Sequence, residues 1–240
     1  MTGVQTCALP ILGDIVITNA NNVTESAGVT AKSLTQSAGG GTTLLTGAVN
    51  TDGATGVALT TSVITANNTI TTTNAGTVTF TNAGLLTLNG NITSDGAVVQ
   101  NGAGATSITS PRTITTTGDA VSFATGVTLN GAGTTSINTT SGSATGANVT
   151  FSSTLTGTTT DVEHLTVNAG SGGNVLFTGA VGGTRLGDIV ITNANNVTES
   201  AGVTAKSLTQ SAGGGTTDRK STPELQSLRH LVCRLLLEKK

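Results

Sequence analysis

From residue 12 to residue 217 the chain is a succession of short runs in which apolar and polar side chains alternate. DIVIT (188–192), TVTF (77–80), LLTLNG (85–90), AVSF (120–123), NVTF (148–151) and NVLF (174–177) are rich in β-branched residues, keep a period of two and border on Gly, Asn or Asp. Such alternation puts successive side chains on opposite sides of an extended backbone and predicts half-buried strands. No part of 12–217 carries a sustained i, i+3, i+4, i+7 stripe, so no helix is predicted there. Turn chemistry agrees: AspGly stands at 52–53 and 95–96, AsnGly at 89–90, 101–102 and 130–131, GlyAsp at 13–14, 118–119 and 187–188.

The strands recur. Leu12 to Thr43 reads LGDIVITNANNVTESAGVTAKSLTQSAGGGTT, and Leu186 to Thr217 repeats it letter for letter, a spacing of 174. A shorter period lies beneath: GAVNTDG (47–53) returns as GNITSDG (90–96), and TITTTNAGTVTF (69–80) returns as TITTTGDAVSF (113–123), with Phe80 and Phe123 spaced by 43. The long spacing holds four such units of about 43 residues. The simplest origin is a piece of a longer tandem array; an assembly error that duplicated a read is the rival.

A unit of about 43 residues is too short for an immunoglobulin-like sandwich of ~100. It has the length of a propeller blade but lacks the aromatic signature of one. Two coils of about 22 residues each fit, every coil hydrogen-bonded to its neighbours at ~4.8 Å. The predicted fold class is therefore all-β, a right-handed parallel β-helix (β-solenoid) of nine or ten coils, a rod of about 45 Å. Val, Ile, Leu, Ala and an occasional Phe would stack inside, with Thr and Asn outside.

Composition sharpens this picture. Charged residues are 9% of the 240 and aromatic residues 2%, with no Trp or Tyr and with 33 Gly. So little aromatic mass argues against an ordinary globular core, and so little charge against a disordered polyelectrolyte. The net charge of −2 argues against phosphate-backbone binding, and no apolar run is long enough for a spanning helix.

The two ends differ from the middle. Both cysteines (Cys7, Cys233) and six of the ten basic residues lie within 1–11 or 218–240. Met1 to Ile11 (MTGVQTCALPI) resembles the in-frame translation of a sequencing-library adapter. So do DRKST (218–222) and, after a frame slip near Pro223, ELQS (224–227) and LVCRLLLEK (231–239). The chain thus divides into an adapter-like segment 1–11, a repeat region 12–217 and an adapter-like segment 218–240. Leu225, Leu228, Leu231, Val232 and Leu235 are spaced for a helix, which on this reading is an artefact, and the adapter-like ends are set aside from fold reasoning. A solenoid cut in this way would lack polar caps and fray or aggregate at its ends.

Candidate chemistry is thin. His164 stands in TDVEHLTV beside Asp161 and Glu163, but a zinc site needs three or four ligands, and a solvated residue near a strand start explains the histidine. Asp14, Asp52, Asp95, Asp119 and Asp188 all adjoin Gly, as turn residues do. AGVTAKS (27–33, again 201–207) faintly resembles a phosphate loop but lacks the glycine before Lys32 and a following helix. No G-x-S-x-G elbow is present. The sequence accordingly predicts no enzyme, no catalytic residue, no cofactor and no metal site.

GDIVITNANNVT, GAVNTDG and LTLNGNITSDGAVVQNG resemble the Thr/Gly/Asn-rich strand repeats of large bacterial surface exoproteins, among them filamentous-haemagglutinin-like adhesins and autotransporter passengers. The resemblance spans 12–217 and is one of composition and period. It implies a secreted or outer-surface rod serving as stalk or adhesive surface. Its partners would be neighbouring repeats of the same longer chain and host or matrix glycans or other cell surfaces, with no nucleic acid and no membrane span. An alternative is an ice- or crystal-surface-binding solenoid built on the Thr rows Thr71/Thr73, Thr77/Thr79/Thr81 and Thr113/Thr115/Thr117. A further alternative, a carbohydrate-active β-helix enzyme, would require several carboxylates and an Arg to meet on one face.

Overall fold

The computed structural model describes residues 13–219. Most of both adapter-like segments, with Cys7, Cys233 and the expected C-terminal helix, lies outside the described residues; Asp218 and Arg219 complete the last strand.

The described residues form strands and no helix, and the strands pair in parallel. Three strands make one turn, and equivalent strands of successive turns stack into three ladders. Ladder A holds Asp14–Ile17, Ser33–Gln36, Val57–Thr61, Val78–Asn82, Val98–Gln100, Val121–Phe123, Val149–Phe151, Val175–Phe177, Val197–Glu199 and Thr217–Arg219. Ladder B begins with Val23–Glu25, Thr42–Leu45 and Val63–Ala66, and ladder C with Val29–Ala31, Val49–Thr51 and Ile70–Thr72. Ladders B and C merge near the C-terminal end, where the 13-residue strand Val181–Asn193 runs from one to the other. The molecule is thus a β-solenoid of about nine turns.

The alternation in the sequence is the alternation of inside and outside. On ladder A the first inward position passes through Ile15, Leu34, Val57, Val78, Val98, Val121, Val149, Val175 and Val197. Phe80 and Phe123 lie in one inward column of this ladder with Gln100 between them, so the period of 43 is two turns. Turn lengths nevertheless vary: Ile15 pairs with Leu34, 19 residues on, whereas Val121 pairs with Val149, 28 on. The extra residues go into corners, where the backbone has no register to keep. One corner illustrates the packing limit. Gly56 has φ 61°, and a Cβ there would lie 2.1 Å from the Thr77 carbonyl oxygen of the next turn. A side chain would break the stacking at that point.

The interior is filled by like on like. Phe123, Phe151 and Phe177 stack with centroids 5.5 and 5.4 Å apart and interplanar angles of 16° and 9°. Phe80 belongs to the same column, but its neighbours are Leu59 and Gln100. Gln100 is 1% exposed and is held by hydrogen bonds. Its Nε2 donates to Asn82 Oδ1 at 2.8 Å and to the Gly102 carbonyl at 2.9 Å, while its Oε1 accepts from Ala124 N at 3.1 Å. A buried amide is tolerated here because its polar atoms find partners at the corner. At another corner, Asn148, Asn174 and Asn196 form a ladder in which Asn174 Nδ2 donates to Asn148 Oδ1 (3.1 Å) and Asn196 Nδ2 to Asn174 Oδ1 (2.8 Å).

Truncating Phe151, which stacks on both sides, is expected to destabilise the solenoid more than truncating Phe80. With about 0.5–1.5 kcal/mol per aromatic pair beyond burial, two pairs make a difference of about 1–3 kcal/mol. Urea unfolding of Phe151→Ala and Phe80→Ala followed by far-UV circular dichroism measures it. Equal losses would contradict the stack.

Candidate interaction surface

The outward positions of the three ladders differ in character because strand register, rather than sequence order, decides which side chains become neighbours. On ladder C one outward column runs Thr30, Asn50, Thr71, Thr93, Thr115, Asn138, Asn168, Asn193. It bears hydroxyls and amides and no charge. The adjoining outward column includes Thr113, Ser136, Thr166, Val190 and Thr209. Parallel strands bring column neighbours to ~4.8 Å, and residues two apart on one strand stand ~6.6 Å apart. Ladder B offers Thr65, Thr87, Ser107, Thr128 and Thr156 in succession. Ladder A is mixed: Val16, Thr35, Ala58, Thr79, Val99, Ser122, Thr150, Leu176, Thr198.

The Thr rows picked out in the sequence therefore do not form one lattice. Thr71, Thr113 and Thr115 lie on ladder C, whereas Thr79 and Thr81 lie on ladder A, with Thr77 at the corner that leads into it. Thr73 and Thr117 sit past the ends of their strands. Thr73 Oγ1 donates to the Thr51 carbonyl at 3.4 Å, and Thr117 Oγ1 donates to Asp95 Oδ1 at 2.8 Å. Thr93 and the Asn column above and below it complete the ladder C surface instead.

The acidic residues serve local structure. Asp14 Oδ1 accepts from Ser33 Oγ at 2.7 Å, and Asp188 Oδ1 from Ser207 Oγ at 2.6 Å. Asp95 accepts the Ala75 N–H at 2.8 Å as well as the Thr117 hydroxyl; these two bonds hold its carboxyl below the ordinary value. Asp188 is lowered chiefly by the Ser207 hydroxyl, with help from the charge of Lys206 and from His164. Asp52 and Asp119 offer backbone carbonyls to Asn74 Nδ2 and Thr116 Oγ1. Lys32 falls between the strands Val29–Ala31 and Ser33–Gln36, so AGVTAKS leads into a strand and no helix N-terminus faces it.

Asp161, Glu163 and His164 are sequence neighbours with different destinations. Glu163 points inward and is fully buried, accepting from Thr158 Oγ1 at 2.7 Å and from Thr159 N at 3.1 Å. His164, the next residue, points outward. Its Nδ1 accepts the Asp188 N–H at 2.8 Å and lies 3.4 Å from Asp188 Oδ2. Gly187 leaves room for the ring, since a Cβ there would lie 2.7 Å from the imidazole. Asp161 has φ 66° and pairs its carboxylate with the Arg185 guanidinium. One ion pair, Arg185–Asp161, and the His164–Asp188 contact thus lie near one another while the third carboxylate is taken up in the interior. Among the described residues no group of three or more His, Cys, Asp and Glu is placed to hold a metal ion, and no helix is long and apolar enough to cross a membrane.

The sequence identified Thr71, Thr113 and Thr115 but missed Thr93, Asn50, Asn138 and Asn168 as parts of the same surface. The signal that places them is turn length, which on ladder A alone varies from 19 to 28 residues and follows no fixed period in the sequence. No protein-family model, curated protein or solved structure matches this chain.

The lowered carboxyl of Asp95 makes a signed prediction. Its contribution to stability is full above the ordinary value of 3.8 and is lost as pH falls through the lower folded-state value. Melting temperatures of Asp95→Asn and the parent chain are expected to differ at pH 7 and to draw together as acid below pH 3.8 protonates the carboxyl. A gap that stays constant over this range would contradict the hydrogen-bonded carboxylate.

Proposed function

We propose that this β-solenoid is a non-catalytic structural and adhesive stretch of a longer secreted or cell-surface bacterial protein. Its neighbours would be further repeats of the same chain, and its partners matrix or host glycans or other cell surfaces. The observation that carries the reading is the outward column of ladder C, eight turns of uncharged hydroxyl and amide side chains from Thr30 to Asn193. Such groups hydrogen-bond neutral polar polymers weakly at each turn. Repetition along a stiff rod then converts weak contacts into avidity.

A second reading rests on a narrower observation. Thr71, Thr93 and Thr115 stand in register on successive turns, with Thr113 beside them. Three hydroxyls at strand spacing make a small regular lattice of the kind that an ice or crystal face would meet.

One experiment separates the two. The purified chain, free or clustered through a biotin tag, is passed over immobilised neutral polysaccharides, and its thermal hysteresis is measured in parallel. The triple variant Thr71→Lys, Thr93→Lys, Thr115→Lys is the control. The adhesive reading expects clustering to strengthen retention about 10²-fold or more, the variant to lose that gain, and no hysteresis. Hysteresis that the variant abolishes would transfer the surface to the lattice reading. Retention indifferent to both clustering and the variant would overturn the adhesive one.

A further inference from the structure

The repeated segment offers an unusual comparison, because 31 of its 32 residues are described twice in one molecule, as 13–43 and 187–217. Its local hydrogen bonds recur in both places. Ser33–Asp14 and Ser207–Asp188 are hydrogen-bonded at 2.7 and 2.6 Å. Thr43–Gln36 and Thr217–Gln210 are at 2.5 and 2.6 Å. Thr42 N and Thr216 N donate to Asn22 and Asn196 at 2.9 and 2.8 Å. Inward positions stay inward as well, Ile15 and Ile17 in one copy and Ile189 and Ile191 in the other.

The ladders, however, are exchanged. Asp14–Ile17 belongs to ladder A, whereas 188–191 pairs with Glu163–Asn168 on ladder C. Val23–Glu25 belongs to ladder B, and its copy Val197–Glu199 to ladder A. Val29–Ala31 belongs to ladder C, and 203–205 pairs with Val181 on ladder B. The inward column of ladder C shows the exchange directly: it starts at Val29 of the first copy and passes through Val49, Ile70, Ile92, Ile114, Ile137 and Val167 to Ile191 of the second.

We infer that the 174-residue repeat is a phase-shifting unit: it spans seven and two-thirds turns, so each copy presents the same surface one third of a turn away from the last. Four units of two coils would make eight full turns and return the segment to its own ladder. The turns from Val121 to Val149 and from Val149 to Val175 take 28 and 26 residues, and that excess over about 22 uses up the missing third. A shift by a whole number of strands keeps every inward residue inward, so the core does not oppose it.

The consequence concerns how partners meet the rod. Outward residues of the segment such as Thr35 and Thr209 face different directions, so two equivalent surfaces on one molecule look to different sides. A rod of this kind engages a surrounding mesh from several sides and does not extend one flat lattice from repeat to repeat. This consequence rests on the adhesive reading; the phase shift itself does not.

Engineered disulfides test the shift. Parallel neighbours at ~4.8 Å fall within the Cα separations of 4.4–6.8 Å that a disulfide spans. In a Cys7→Ser, Cys233→Ser background, Thr166→Cys with Val190→Cys and Leu176→Cys with Thr198→Cys are expected to oxidise to intramolecular disulfides. Their residues are register partners on the outside. Leu176→Cys with Val190→Cys, and Thr166→Cys with Thr198→Cys, are expected to remain thiols. Disulfides in the second set, or failure of the first set to oxidise, would overturn the shift while leaving polysaccharide retention a separate question.

Discussion

The interaction on which everything else depends is the backbone hydrogen bond between one turn and the next. Among the described residues no strand is satisfied within its own turn; its N–H and C=O groups point along the axis and are met by the strands above and below, or by one neighbour at either end. Val57 N donates to the Thr77 carbonyl at 2.8 Å, Val78 N to Ala97 at 2.9 Å and Val98 N to Ala120 at 3.0 Å. Parallel register follows, and with it the stacking of like on like. Val lies over Val, Ile over Ile and Phe over Phe because each turn must place an inward residue where its neighbour does. A core with no Trp or Tyr is possible because the interior is narrow and filled in columns.

The same constraint explains what varies. Register is kept within strands far more than between them, so the chain absorbs most insertions at corners; an exception is a bulge at Thr192, which lets Asn168 pair with Asn193. The turn from Val121 to Val149 is nine residues longer than the turn from Ile15 to Leu34, yet both end in the same column type. Polar residues enter the interior at corners for the same reason. Gln100 and Glu163 are buried where turning backbone offers donors and acceptors that a strand does not. Outside, the chain is free to choose, and it chooses Thr and Asn on ladder C and a mixture on ladder A.

Much of the fold is legible in the sequence. Alternation in runs such as TVTF and NVLF gave the strands, and the spacing of Phe80 and Phe123 gave two turns per 43 residues. Phe151 and Phe177 belong to the same column but follow at 28 and 26 residues, off the period, so their stacking was not legible. The candidate surface was legible in kind and not in place. Thr71 and Thr115 look like members of separate rows, and only register puts Thr93 between them. With Glu163 and His164 a signal was present and went unused: adjacent residues of one strand face opposite sides, so they could not meet at one site.

Nuclear Overhauser contacts in a uniformly labelled sample test the parallel stack most directly. The account predicts backbone contacts between Val78 and Val98 and between Val98 and Val121, with residue numbers rising together on both strands. Contacts in which one number rises as the other falls, as in hairpins between adjacent strands, would contradict it.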